Sequence, residues 1–336
     1  MTASSSAVLV TGVAGFIGFH FARSLLGLGV PVVGVDNLTP YYDPALKRAR
    51  LAELDGAPGF RFEALDLADR TAAAALFAEL RPQRVVHLAA QAGVRYSLEA
   101  PMAYVDANLT GTASVLEGCR HHGCRHLVFA STSSVYGGNT KLPFKETDPV
   151  DHPVSLYAAT KRANELMAHT YAHLYGLPAT GLRFFTVYGP WGRPDMAYFS
   201  FAEAIRAGRP IRLFNHGAMR RDFTYVDDVV AAMVRLLDAP PAAADRRAPD
   251  RSSAPFRLYN IGNHSPVPLR DFLAILEDRL GARAIVEEAP MQPGDVEATF
   301  ADVEALRTAV GFAPTTPLAD GLTRFVDWFD AWSARR

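Results

Sequence analysis

Lysine is scarce in this chain. Of its 34 basic residues only Lys47, Lys141, Lys145 and Lys161 are lysine, the rest being arginine. Cysteine is scarcer, with two in 336 residues. That is too few for a disulfide framework and favours a reducing compartment. Net charge is nearly absent: 34 basic against 35 acidic residues leave a formal −1. A nucleic-acid partner, which needs clustered basic charge, is therefore not expected. No apolar run reaches membrane-spanning length, so the expectation is a soluble chain without a membrane partner. The opening Met1-Thr-Ala-Ser-Ser-Ser lacks the basic and apolar regions of a secretory signal, which makes a cytoplasmic location the default. No metal site is expected either. Cys119-Arg-His-His-Gly-Cys124-Arg-His126 lacks paired Cys-x-x-Cys spacing. A helix ending at Gly123 and a strand starting near His126 account for it, with the cysteines as small apolar residues.

What is present is an alternation of strand-like and helix-like segments. Val8–Thr11, Val30–Asp36, Phe60–Leu65, Arg84–Ala89, His126–Ser131 and Ala179–Phe185 read as short apolar strands. Phe16–Leu28, Thr71–Leu80, Ala103–His121 and Ser155–Tyr175 read as helices. Apolar strands alternating with helices predict an α/β fold, a doubly wound parallel sheet of Rossmann type covered on both faces. This domain is expected over residues 7–185, with segments around 220–262 returning to it. Residues 186–336 are expected to form a smaller mixed α/β substrate lobe. In that half, Gly189-Pro-Trp-Gly-Arg-Pro194 is a turn-rich loop, followed by a helix near Tyr198–Ala207. Ala239–Pro255, rich in proline, alanine and charge, predicts a mobile surface excursion.

Three glycines follow the first strand: Gly12, Gly15 and Gly18 in Val8-Leu-Val-Thr-Gly-Val-Ala-Gly-Phe-Ile-Gly18. Gly12 permits a tight turn, Gly15 admits a pyrophosphate to the backbone, and Gly18 allows close helix–sheet packing. The helix N-terminus behind them offers unpaired N–H groups to the anion. The spacing is G-x-x-G-x-x-G, not G-x-G-x-x-G. The second strand ends in Asp36-Asn37, roughly twenty residues further on, where a carboxylate accepts from adenosine ribose hydroxyls. It would repel a 2′-phosphate, so NAD is favoured over NADP.

Tyr157-Ala-Ala-Thr-Lys161 places a phenol and an ammonium four residues apart on one helix face. A phenol with the ordinary pKa of about 10 is a poor base at neutral pH. An adjacent cation lowers that value and makes it a usable proton acceptor. Thr132, upstream, is the candidate third member of a catalytic set with Tyr157 and Lys161.

With these residues together the chain resembles the extended short-chain dehydrogenase/reductase family. Within it, the chain is similar from end to end to the NAD-dependent UDP-glucuronate 4-epimerases. Thr11–Gly18 matches the family's TGxxGFIG opening, and Tyr157/Lys161 its YxxxK pair. The resemblance implies that Phe16 and Ile17 belong to the cofactor turn and that Asp36 and Asn37 meet the ribose. Asp66 and Leu67 fall where the family holds adenine. Leu88, Ala89, Ala90 and Gln91 line the cofactor, Asn108 supports the active-site helix, and Phe185 joins the cofactor set. The narrower match rests on residues 36–50, on Ser133-Ser-Val-Tyr-Gly-Gly-Asn-Thr-Lys141, and on Thr186-Val-Tyr-Gly-Pro-Trp-Gly-Arg-Pro-Asp-Met196. It implies substrate contacts from Arg95, Thr132, Ser133, Ser134, Thr186, Arg193 and Arg221. Met291-Gln-Pro-Gly-Asp-Val296 resembles the UDP-binding segment and adds Gln292 and Asp295. Galactose-type epimerases tend to have arginine where Gln292 stands. Homodimerisation through helices at 103–121 and 155–175 is likewise implied by the resemblance.

The same resemblance separates sister reactions. The family's 4,6-dehydratases would show Thr-Asp-Glu where this chain has Thr132-Ser133-Ser134, so elimination lacks its acid and base. UDP-glucuronate decarboxylases commonly have Thr-Ser-Glu there. The implied reaction oxidises C4 of UDP-glucuronate on bound NAD and reduces it again from the other face, giving UDP-galacturonate. Its 4-keto intermediate is a β-keto acid prone to lose carbon dioxide, and Arg193, with a planar fork, is the candidate clamp on its carboxylate. Trp191 either packs at the sugar site or anchors its loop. Two alternatives stay open. One is another UDP-hexose 4-epimerase or a UDP-glucuronate decarboxylase; the other is a catalytically silent NAD-binding sensor.

Overall fold

The computed structural model describes residues 7–245, 247–291 and 296–335. It divides into two compact units. The first comprises residues up to 139, 146–183 and 230–259; the second comprises 140–145, 184–229 and 260 onward.

The first unit is built on β1 (Val8–Thr11), α1 (Phe16–Gly27), β2 (Val32–Asp36), α2 (Pro44–Leu54), β3 (Phe60–Ala64), α3 (Arg70–Leu80) and β4 (Arg84–His87). Two short helices, α4 (Tyr96–Glu99) and α5 (Pro101–Tyr104), lead through a π-helical turn at Val105–Thr110 into α6 (Gly111–His121). Then come β5 (His126–Thr132), α7 (Leu156–Tyr175) and β6 (Ala179–Phe184). With β10 (Phe256–Ile261), which follows later in the chain, they form a seven-stranded sheet. Its order, β3-β2-β1-β4-β5-β6-β10, extends the 3-2-1-4-5-6 order of the dinucleotide-binding fold by one strand. β1 runs parallel to both β2 and β4, with Val8 opposite Val32 and Arg84. Every residue of β1 and β2 is buried. Sequence alternation is missing because helices cover both faces. Leu9, Val33, Phe77, Leu116, Leu127, Phe129 and Leu258 belong to the resulting core.

α7 shows how local sequence sets an element's limits. Ser155 Oγ accepts from Ala158 N at 3.1 Å at its start, and Gly176, at φ 66°, ends it. Two segments differ from the sequence expectation. Ala103–His121 is not one regular helix; the π turn interrupts it at Asn108, whose side chain bonds outside the helix. Nor is Ala239–Pro255 simply a solvated excursion. Asp250 is buried, its Oδ2 stands 3.1 Å from Arg257 Nη1, and its carbonyl accepts from Leu258 N at 3.0 Å. Composition marked the segment polar, but one buried ion pair ties it to β10.

The second unit holds β7 (Thr186–Tyr188), α8 (Ala197–Arg206), β8 (Pro210–Phe214) and β9 (Arg220–Tyr225), the last leading into α9 (Val226–Leu237). Later come β11 (Pro266–Pro268), α10 (Leu269–Leu280), β12 (Ile285–Ala289), α11 (Glu304–Val310) and α12 (Leu318–Ser333). β9 pairs parallel with β7 and antiparallel with β11, and β8 pairs parallel with β12. Its core is aromatic: Tyr198 and Phe199 of α8 pack on Phe325 of α12 at 4.9 and 6.0 Å. No helix among the described residues is long and apolar enough to cross a membrane.

Candidate active site

The turn after β1 is closed tightly enough to exclude side chains. Gly12 has φ 72°, and its N–H donates to Val35 O at 2.7 Å. A Cβ on Gly18 would stand 2.1 Å from Gly12 O, and one on Gly12 2.7 Å from Ala89 N. α1 begins at Gly15 with no side-chain cap and no acid in its first turn. Its first N–H groups therefore have neither a capping side chain nor a first-turn carboxylate, which suits an anion there. Asp36 is buried; it accepts from Ala14 N at 3.1 Å and Leu38 N at 2.8 Å, which aims the carboxylate beside the turn. Asn37 Nδ2 donates to Asp66 Oδ2 at 3.1 Å, with Leu67 buried behind. Ala89 N donates to Thr11 Oγ1 at 3.2 Å, fixing the Leu88–Gln91 segment against β1. These residues fit a dinucleotide.

Arg50 has no signal in the sequence beyond its place in a matched segment. It is fully buried, and its Nη1 donates to Ala14 O at 2.8 Å and to Tyr42 Oη at 2.7 Å. It braces the glycine turn from α2. An arginine in a helix whose mean hydropathy is not apolar carries no signal of burial, so only the packing reveals it.

Asn108 links the cofactor segment to α7. Its Oδ1 accepts from Gln91 N at 2.8 Å, and its Nδ2 donates to Gln91 O at 3.1 Å and Thr160 Oγ1 at 3.0 Å. Asn164 Nδ2 returns a bond to Asn108 O at 2.7 Å. The π turn supplies the extra residue that lets one amide reach both elements.

Tyr157 and Lys161 lie one turn apart on α7, with Thr160 between them tied to Asn108. Tyr104, fully buried, sets its ring edge-on to Tyr157 at 6.1 Å and donates to the Ala92 carbonyl. Thr132 ends β5, where its Oγ1 accepts from Ser134 N and donates to Ser134 Oγ, both at 3.2 Å. Ser133 and Ser134 start the short turn that follows. Lys161 is buried, and burial brings its ammonium down to about 8, opposed by the charge of Glu165.

Glu165 carries no signal in the sequence that marks it as part of the site. It is buried, and its Oε1 accepts from Ser131 Oγ at 2.6 Å and Arg183 Nε at 2.8 Å. Its Oε2 accepts from Arg162 Nη1 at 2.9 Å and Arg183 Nη2 at 3.0 Å. Burial pushes its carboxyl up, but the two arginines and Ser131 outweigh that and leave it below the ordinary carboxylate range. His87, also buried, is bonded at both ring nitrogens, to Thr11 Oγ1 at 2.8 Å and Thr112 Oγ1 at 3.1 Å. Burial, with help from Lys161, takes it down to about 3. It is a neutral strut and not a proton carrier.

The glycine turn, Asp36, Asn37, Asp66, Leu67, Leu88–Gln91, Arg95, Asn108, Thr132–Ser134, Tyr157 and Lys161 all belong to the first unit. Phe185, Thr186, Arg193 and Arg221 belong to the second. There Phe185 is buried and Thr186 lies in β7 opposite Phe223. The Nε–Nη2 edge of Arg193 is paired with the Asp195 carboxylate, Nε donating to Oδ1 at 3.0 Å and Nη2 to Oδ2 at 2.5 Å. Arg221 Nη1 donates to the carbonyls of Arg220 and Glu297 at 3.0 and 3.1 Å. Trp191 is an anchor: buried at φ 60°, it meets Trp328 at 5.3 Å and Trp332 at 5.6 Å on α12. Gln292 and Asp295 lie outside the described residues. Among the described residues no His, Cys, Asp and Glu cluster could hold a metal.

Residues 8–262 match the model of the NAD dependent epimerase/dehydratase family. The chain belongs to that family. A probable UDP-glucuronate 4-epimerase of Rhizobium meliloti is 51% identical over 328 residues, covering 96% of each chain. UDP-glucuronate 4-epimerase 4 of Arabidopsis thaliana is 48% identical over 327 residues, 96% of this chain and 75% of that one. The structure of UDP-glucuronic acid 4-epimerase from Bacillus cereus, in complex with UDP-glucuronic acid and NAD, superposes with a TM-score of 0.87. It is 32% identical and covers 97% of this chain and 99% of that chain. As a member of the epimerase/dehydratase family, the chain has a tyrosine and lysine on α7 and a glycine turn that suit oxidation and reduction of a sugar alcohol.

Proposed function

We propose that this protein is an NAD-dependent UDP-glucuronate 4-epimerase, interconverting UDP-glucuronate and UDP-galacturonate. What supports this reading most is the 51% identity to a probable UDP-glucuronate 4-epimerase over 96% of the chain, together with Tyr157 and Lys161 one turn apart on α7, a glycine turn too tight for side chains, and serine and no acid at 133 and 134. Gly12, Gly15 and Gly18 hold the pyrophosphate of NAD at the start of α1, and Asp36 the ribose. Bound NAD supplies the acceptor and donor for hydride at C4. Tyr157, supported by the Lys161 cation, takes the proton of the 4-hydroxyl and gives it back, while Thr132 holds that oxygen. The 4-keto sugar turns about its diphosphate link, so its C–H bond re-forms on the opposite face. Thr186 and Arg221 contact the nucleotide sugar, and Arg193 grips the C6 carboxylate so that the C–C bond to it stays out of line with the ketone. Without an acid at 133 or 134, removal of the C5 proton has no local base.

The protein works as a cytoplasmic homodimer joined through α6 and α7. Leu174 on the exposed side of α7 supports that assembly. The deciding experiment supplies purified protein with UDP-glucuronate and no added oxidant, and identifies the product. UDP-galacturonate is expected. A UDP-pentose with release of carbon dioxide would instead assign decarboxylation, and turnover of UDP-glucose in preference to UDP-glucuronate would assign a neutral-sugar epimerase.

A further inference from the structure

α7 carries a second set of polar groups, away from Tyr157 and Lys161. Arg162, His169 and His173 line a cleft of about 480 Å³ together with Arg247, Arg251 and Ser252 of the segment leading to β10. Among the cleft's described lining residues the one carboxylate is Glu165. Its oxygens are already occupied by Arg183, Arg162 and Ser131 at 2.6–3.0 Å. Asp250, next to Arg251, is buried and lies nearer Arg257, at 3.1 Å against 3.9 Å. Arg162 is therefore paired with Glu165, whereas Arg247 and Arg251 line the same small volume with little opposing charge among its described lining residues.

The histidines report the same imbalance. Their rings lie parallel with centroids 6.4 Å apart. His169 is shifted below the ordinary imidazole range by burial, by His173 and by Arg247. Each of these opposes a further positive charge, as expected where cations are gathered without an anion. The walls are built and not merely draped. His169 Nε2 and Ser252 Oγ are 2.8 Å apart, Ser252 Oγ accepts from Ala254 N at 3.1 Å, and His169 meets Phe256 edge-on at 5.2 Å.

We propose that this cleft binds a small phosphorylated metabolite, its phosphate turned toward Arg247, Arg251 and the two histidines. Guanidinium forks and imidazole are side chains that pair with phosphate oxygens. The cleft is larger than inorganic phosphate needs, and Leu166 and Phe256 give it an apolar side for an organic residue. This goes beyond 4-epimerisation and uses none of its proposed residues.

The test is calorimetric titration of inorganic pyrophosphate into the cofactor-loaded protein with UDP present, at fixed ionic strength. UDP occupies the nucleotide-sugar site, so residual pyrophosphate binding reports the cleft. The expected result is one saturable site, weakened about tenfold or more in Arg247→Ala/Arg251→Ala, with turnover of UDP-glucuronate unchanged in that variant. Arg221→Ala, which alters the proposed nucleotide site, should leave the pyrophosphate site intact. His173→Gln, at an exposed position, gives an independent variant with the same expected direction should the double substitution unfold. No saturable binding, or binding indifferent to both cleft variants, overturns the proposal.

Discussion

Lys161 and Glu165 stand one turn apart on α7, both buried, and the carboxylate is the group that opposes the desolvation of the ammonium. Ser131, Arg162 and Arg183 hold that carboxylate in place. The charge that supports Tyr157 is thus set by a network reaching from β5 to β6.

Replacing Glu165 with glutamine removes the opposing anion at nearly constant shape. Lys161 should then lose its proton at a lower pH than its present value of about 8. The alkaline limb of the kcat profile should move to lower pH, with KM little changed. The variant also leaves Arg183 buried without its counter-ion, so thermal stability should fall, by about 3–5 kcal/mol. Calorimetric unfolding and a pH–rate profile check both, and an unmoved alkaline limb rules out the coupling.

Lys161 itself should cost stability. Its folded value of about 8 lies below the ordinary 10.5, so between those values the unfolded chain binds more protons than the folded one. Stability should therefore rise as pH increases from about 8 toward about 10.5. Below that window the cost is fully present, on the order of 3 kcal/mol. Lys161→Met should abolish turnover yet raise the midpoint of thermal unfolding at neutral pH. A variant less stable than the parent at neutral pH would show that the ammonium is not held at such a cost.

Gly18→Ala tests the cradle. An alanine within a helix usually gains about 1 kcal/mol over glycine. Here the added Cβ would meet Gly12 O at 2.1 Å, so the turn must open. The protein should purify without dinucleotide, seen as a lost absorbance excess near the adenine band, and should not regain it with added NAD. Full cofactor content in this variant would place the pyrophosphate elsewhere.

Trp328→Ala removes one of the two rings against Trp191 and loosens the loop carrying Arg193. KM for UDP-glucuronate should rise severalfold while kcat changes less. The chain's three tryptophans are those of this cluster, so intrinsic fluorescence reports the loop directly and should shift when UDP-glucuronate is added. Arg193→Ala should raise KM as well and release some 4-keto pentose, detectable by mass spectrometry. Unaltered kinetics with no decarboxylated sugar would remove Arg193 as the clamp.

What the sequence determined by itself was everything governed by spacing along the chain. Tyr157 and Lys161 share a face because a helix returns every 3.6 residues. Gly12, Gly15 and Gly18 meet because they occupy one turn and the helix start after it. The uninterrupted apolar strands dictated a sheet covered on both sides. What the tertiary structure alone decided was which distant groups were buried together. Glu165 is reached by Arg183 across 18 residues and by Ser131 across 34, Arg50 reaches Ala14 across 36, and Trp191 finds its partners on the last helix. Asp250 sits in a stretch whose composition predicted solvent, yet it is buried. Local spacing follows from backbone geometry, whereas burial and charge pairing depend on which faces pack, and an isolated Glu or Arg looks the same in sequence on either side of that choice.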